Sequence, residues 1–207
     1  MSEEYRKILG LGHPRTGTGY TANLLRRWGL DVGHELLFKD GIVAWQLAVD
    51  TKDNLPCMHK CRDVYFDSFN WETIIYNLRN PKDSILSIIY TETTTLSFRN
   101  RIANIELEKN RVSMAIQSIL HWDKLILDKN PSVIYRIEHD ADKLYDFLKD
   151  RYKISWTKNA LEAVKEIRNK RKHPDISEIQ NELESVSDDL KSKINSFCLK
   201  YEYPNVF

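Results

Sequence analysis

Gly12-His13-Pro14-Arg15-Thr16-Gly17-Thr18-Gly19 sets three glycines, two hydroxyls and an arginine between an apolar run (Ile8, Leu9, Leu11) and an apolar-periodic segment that begins at Tyr20. A buried strand, a glycine-rich turn and a helix, in that order, build an anion site from main chain alone. The glycines let the turn close tightly, and the first N–H groups of the helix lack internal partners and point outward. Arg15 adds a permanent charge on a planar donor fork suited to phosphate or sulfate. The bland alternative is a strand-to-helix turn that holds no ligand.

The spacing Gly12-x4-Gly17 opens like a nucleoside-triphosphate loop but does not finish like one. Thr18 stands where that loop needs Lys, and Gly19 stands where it needs a magnesium-binding hydroxyl. A small-molecule kinase on a P-loop scaffold is therefore only an alternative reading. Other groups able to do chemistry are Glu35 and His34 in one turn, His59, and the junction Arg79-Asn80-Pro81-Lys82-Asp83 with Ser87 beyond it. Cys57, His59 and Cys61 would share one face of a strand, but adjacent ligands on one strand with no second Cys/His pair make a poor tetrahedral zinc site.

These groups need elements to hold them. Ile8 to Leu11 reads as the first, central strand and Thr18 to Trp28 as a helix, with Leu24, Leu25 and Trp28 as its packing stripe and Gly29 as its stop. Leu30 to Gly33 reads as a short strand. Gly41 to Asp50 is apolar enough for a buried helix, and Leu55 to Lys60 reads as a third strand. Thr73 to Leu78 is β-branched and aromatic, a fourth strand. Asn80 then caps a helix whose first residue is Pro81. Thr91 to Asn104 is polar and irregular, a substrate loop or lid. Arg111 to Leu127 is a long helix, Val133 to Ile137 a fifth strand, and Ala141 to Leu148 a helix. Beyond Trp156 the pattern is helical and polar, closing with Leu190 to Tyr203. Strands alternating with helices predict an α/β chain with a parallel sheet covered on both faces.

The 207 residues suffice for one domain, residues 1–207. Lysines and arginines (31) balance aspartates and glutamates (30), so no global field favours nucleic acid or an anionic membrane. No apolar run is long enough to span a bilayer, MSEEYRK does not read as a signal peptide, and three cysteines give no disulfide framework. The expectation is a cytoplasmic protein with no nucleic-acid or membrane partner. Its oligomeric state is left open.

On these residues the chain resembles the sulfotransferases that use 3′-phosphoadenosine 5′-phosphosulfate (PAPS). GHPRTGTGY is similar to their 5′-phosphosulfate loop, and LRNPKDSILS to their 3′-phosphate element, an Arg at a strand end with a Ser eight residues on. HWDKLI, the segment from Val133 to Leu148 and the closing KYEYP are similar to later parts of the family. The resemblance implies a three-layer P-loop-like fold with a central parallel sheet flanked by helices. It implies that His13, Pro14, Arg15, Thr16, Gly17, Thr18 and Gly19 hold the phosphosulfate and that Tyr20 stacks on adenine. Arg79 and Ser87 would take the 3′-phosphate. Gly19 departs from the family's common second hydroxyl. The family's basic C-terminal loop is missing, and the run Arg168 to His173, through Arg171 and Lys172, would stand in for it, unless it is only a solvated charge cluster.

The implied reaction moves the sulfuryl group of PAPS to a hydroxyl or amine of a small-molecule or carbohydrate acceptor, leaving 3′-phosphoadenosine 5′-phosphate (PAP). It proceeds in line and requires no metal. Arg15 and the helix amides would stabilise the leaving charge. Glu35 resembles the base of protein-tyrosine and Golgi members, and His59 lies near the catalytic histidine of cytosolic members; His34 and His13 are further options. A non-catalytic domain that binds PAP without making product is the remaining alternative.

Overall fold

The computed structural model of the chain describes residues 6–50, 64–91, 96–105, 110–154 and 176–207. The expected strand from Leu55 to Lys60, with Cys57, His59 and Cys61, lies outside the described residues, as do Arg171 and Lys172. The chain falls into two compact units, Met1–Leu78 with Leu125–Lys170, and Arg79–Lys124 with Arg171–Phe207.

The first unit holds a five-stranded sheet in the order β2-β3-β1-β4-β5. Its strands are β1 (Arg6–Leu11), β2 (Val32–His34), β3 (Gly41–Val43), β4 (Trp71–Leu78) and β5 (Val133–Arg136). Every pairing is parallel, and β1 is central, with Ile8 opposite Gly41 on one side and Thr73 on the other. The protein is thus α/β, a parallel sheet flanked by helices. Helix α1 (Thr18–Arg27) carries the chain from β1 towards β2, and helix α5 (Ala141–Tyr152) follows β5.

One face of this sheet presents Ile8, Val43, Ile75, Val133 and Tyr135. Against it pack Ala22, Leu24, Leu25 and Trp28 from α1 and its end, with Ala141, Leu144 and Leu148 from α5. Each aliphatic side chain fully buried here contributes about 1.5–3 kcal/mol, which fixes α1 and the turn before it. The ring centroids of Trp28 and Tyr145 lie 5.6 Å apart in an edge-to-face arrangement.

The stretch from Gly41 to Asp50 is not the expected helix. It is the strand β3 followed by a 3-10 turn, Trp45–Ala48. A strand buried on both faces and a buried helix are equally apolar, so periodicity cannot separate them. Gly41 decides for the strand. It sits at φ 148°, and a Cβ there would stand 1.9 Å from the Ile8 carbonyl oxygen.

The second unit contains α2 (Pro81–Thr91), α3 (Leu96–Ile102), most of α4 (Arg111–Leu127), a 3-10 turn (Ile176–Ile179), α6 (Gln180–Glu184) and α7 (Asp188–Lys200). Helix α3 corrects the irregular loop expected from Thr91 to Asn104. Phe98, Arg99 and Asn100 are all buried, and two polar residues among the three hide the helix from a hydropathy reading. In the same unit the Arg111 guanidinium and backbone N–H both bond the Glu182 carboxylate, which holds that carboxyl below its usual range. Among the described residues no helix is long and apolar enough to cross a membrane.

Candidate functional site

The order of strands places a reversal between β1 and β4. The connection from β1 leads to β2 and β3 on one side, and the chain leaves β4 for β5 on the other. Carboxyl ends of parallel strands at such a reversal are where open α/β sheets bind ligands. Here the residues after β1 form the glycine-rich turn, and Asn77 stands beside it near the end of β4.

Asn77 organises the turn. It is fully buried, and its Nδ2 donates to the Thr16 carbonyl at 3.0 Å and to Thr16 Oγ1 at 3.1 Å. Thr16 Oγ1 in turn donates to the His13 carbonyl at 2.7 Å, and the Thr16 N–H bonds the same carbonyl at 3.0 Å. Gly12 is required by this packing, since a Cβ there would lie 2.4 Å from Asn77 Nδ2. The Thr16 hydroxyl therefore serves the turn itself. Sequence reasoning did not single out Asn77; its signal is a lone amide inside the apolar run TIIYNL, next to the end of a strand.

Within the turn, His13, Pro14, Thr16 and Thr18 are buried, whereas Arg15, Gly17, Gly19 and Tyr20 are partly exposed. Gly17 precedes α1 in the left-handed region (φ 90°), and its Cβ would strike Ile137 Cδ1 at 2.6 Å. Helix α1 starts with no side-chain cap and no acidic residue in its first turn, an electropositive end that suits an anion. Its first backbone bond runs from the Thr21 N–H to the Gly17 carbonyl at 2.9 Å. The Thr21 hydroxyl also bonds the Tyr135 hydroxyl; burial pushes that phenol up, so the pair is a neutral strut under the helix. Tyr20 packs against the apolar cluster beneath α1.

A second group of side chains reaches the turn from β2. Thr18 Oγ1 and His34 Nε2 are 3.1 Å apart, and His34 Nε2 lies 3.9 Å from Glu35 Oε1. Trp45 Nε1 donates to the same Glu35 oxygen at 3.1 Å. The Glu35 N–H donates to the Val43 carbonyl at 3.0 Å, so the pairing of β2 and β3 places the carboxylate. Gly19 borders His34: a Cβ at position 19 would rest 3.5 Å from the imidazole.

Backbone conformation marks two of these residues. Among the described residues the non-glycine positions with positive φ are Arg15 (79°), Glu35 (54°), Asn104, Asn130, Lys153 and Glu202. The last four lie within three residues of a helix end, where a left-handed residue is an ordinary way to stop. Arg15 and Glu35 follow strands. Unusual backbone of this kind costs of order 1 kcal/mol or more and collects at functional sites.

Arg79 and Ser87 belong to the second unit. Arg79 is partly exposed just before α2, and Ser87 is fully buried within that helix. Asn80 Oδ1 accepts the Lys82 N–H at 3.0 Å, the cap expected from the sequence.

No family model matches this chain, and no curated protein matches it. Among solved structures it is similar to mouse sulfotransferase SULT7A1 complexed with PAP, with a TM-score of 0.45 and 13% identity over 97% of this chain and 85% of that one. Likeness at that level does not bear on function.

Proposed function

We propose that this chain is a sulfotransferase, carrying the sulfuryl group of PAPS to a hydroxyl or amine of a small-molecule or carbohydrate acceptor. The observation that carries the reading is the run of contacts from Thr18, the first residue of α1, through His34 to Glu35. It sets a carboxylate able to accept a proton two side chains from a turn whose make-up suits an anion. The donor set fits a phosphosulfate: Arg15 on a left-handed backbone, the Thr18 hydroxyl, and an uncapped helix start free of acidic side chains.

In this reading Arg15 and the main chain around Gly17 to Gly19 hold the phosphosulfate and stabilise charge on the leaving oxygen, the dominant contribution in such transfers. Glu35 takes the acceptor's proton. Arg79 and Ser87 are assigned the 3′-phosphate, Tyr20 the adenine, and Arg171 and Lys172 a supporting charge. The three cysteines give no disulfide framework, and the protein is placed in the cytoplasm.

Calorimetric titration with PAP against AMP tests the cofactor. PAP should bind more tightly by about 1.5–3 kcal/mol, as for a charge-assisted contact, and Arg79→Ala should remove most of that preference. Equal affinity for the two nucleotides rejects the proposal. Glu35→Gln should abolish PAPS consumption while leaving PAP affinity intact; undiminished consumption would pass the role of base to His59.

A further inference from the structure

Glu35 lies on a partly exposed turn, yet a proton acceptor must hold one orientation to be useful. Among the described residues its carboxylate meets two side chains, both through Oε1: the Trp45 indole N–H at 3.1 Å and His34 Nε2 at 3.9 Å. Oε2 is left clear of both. Trp45 is itself 3% exposed, in a 3-10 turn whose residues from Trp45 to Ala48 are all buried. That turn begins two residues past Val43, the residue whose carbonyl accepts the Glu35 N–H. Backbone and side chain of Glu35 are therefore both tied to the segment of β3 and its following turn.

An indole N–H is a donor only and has no charge, so it can orient a carboxylate without neutralising it. We propose that Trp45 is a positioning residue for Glu35, holding Oε1 so that Oε2 faces the acceptor. The inference rests on the reading of Glu35 as the base. In the transfer step the acceptor oxygen bonds to sulfur while the bond from sulfur to the 5′-phosphate oxygen breaks. The electron pair leaves on PAP, and the acceptor's proton passes to Oε2. The other titratable group facing the carboxylate is His34, which Thr18 engages from α1.

Trp45→Phe keeps the ring and removes the donor. The variant should bind PAP as the wild type does and keep its KM for PAPS. Its kcat, with simple phenols, sugars and amines offered as acceptors, should fall about tenfold. Independently, the ¹⁵N–¹H resonance of the Trp45 indole should shift between the wild type and Glu35→Gln, because the charged acceptor it faces is replaced by a neutral one. This second measurement does not need the Phe variant to fold. A PAP-binding, PAPS-consuming protein whose Trp45 resonance ignores the Glu35→Gln change, or whose Phe variant keeps the wild-type kcat, overturns this inference alone. Wild-type protein that neither binds PAP nor consumes PAPS overturns the sulfuryl-transfer reading and this inference with it.

Discussion

Three strand-to-helix junctions in this protein begin alike and are closed in different ways. After β5, Arg136 donates from Nε and Nη2 to the two Asp140 oxygens at 2.8 and 2.9 Å, an ion pair that closes the turn ahead of α5. Before α2, Pro81 has no N–H to satisfy, Asn80 Oδ1 takes the Lys82 N–H, and the Asn80 carbonyl takes the Ser84 N–H at 3.0 Å. The junction after β1 uses its side chains otherwise. Asn77 and Thr16 lock the turn from behind, while the helix itself begins without a side-chain cap. The starts of α5 and α2 carry carboxylates, Asp140 and Asp142 at one and Asp83 at the other, whereas the start of α1 has no acidic residue and spends its polar groups on the shape of the turn.

The contrast can be broken by substitution. Gly12→Ala should have the largest effect, about 2–4 kcal/mol of stability by denaturant titration, because the new methyl displaces Asn77 and breaks its two bonds to Thr16. A loss no greater than that of Asn80→Ala would show that the turn is not locked as described. Next comes Arg15→Ala, expected to weaken PAP binding by about 1.5–3 kcal/mol with little change in unfolding midpoint. A fall in stability without a fall in affinity would make Arg15 structural. Asn80→Ala removes an ordinary cap and should cost about 1 kcal/mol, leaving PAP affinity unchanged.

The smallest effect belongs to the junction after β5. The Arg136 guanidinium holds the Asp140 carboxyl below its usual range, so the pair stabilises the fold above the ordinary carboxylate pKa. That contribution fades as pH falls through the depressed folded value. Asp140→Asn should therefore be less stable than the wild type at neutral pH, by at most about 1 kcal/mol for a partly exposed pair, and the two should converge on acidification. A gap that widened towards low pH would contradict the pairing.

Much of this frame was legible in the residues. β1, α1, β4, α2, α4 and β5 carry either a β-branched or apolar run or a helical stripe bounded by Gly29, Pro81 or Asn80. What escaped did so for physical reasons. β3 is too short and too evenly apolar to show a period, and α3 buries an arginine and an asparagine among its inward residues. Arg15 and Glu35 stand out by residue type and position. Asn77 and Trp45 do not, because their partners are 61 and 10 residues away and only the sheet brings them together. His59, Arg171 and Lys172 lie outside the described residues.

The left-handed backbone at Arg15 and Glu35 sets two kinds of selection against each other. Glycine adopts that geometry without a clashing Cβ, so a library enriched only for heat resistance should drift towards glycine at both positions. Enrichment for product should hold both side chains in place. Positions where the two screens disagree would then draw the outline of the site from survival alone, before any acceptor is known.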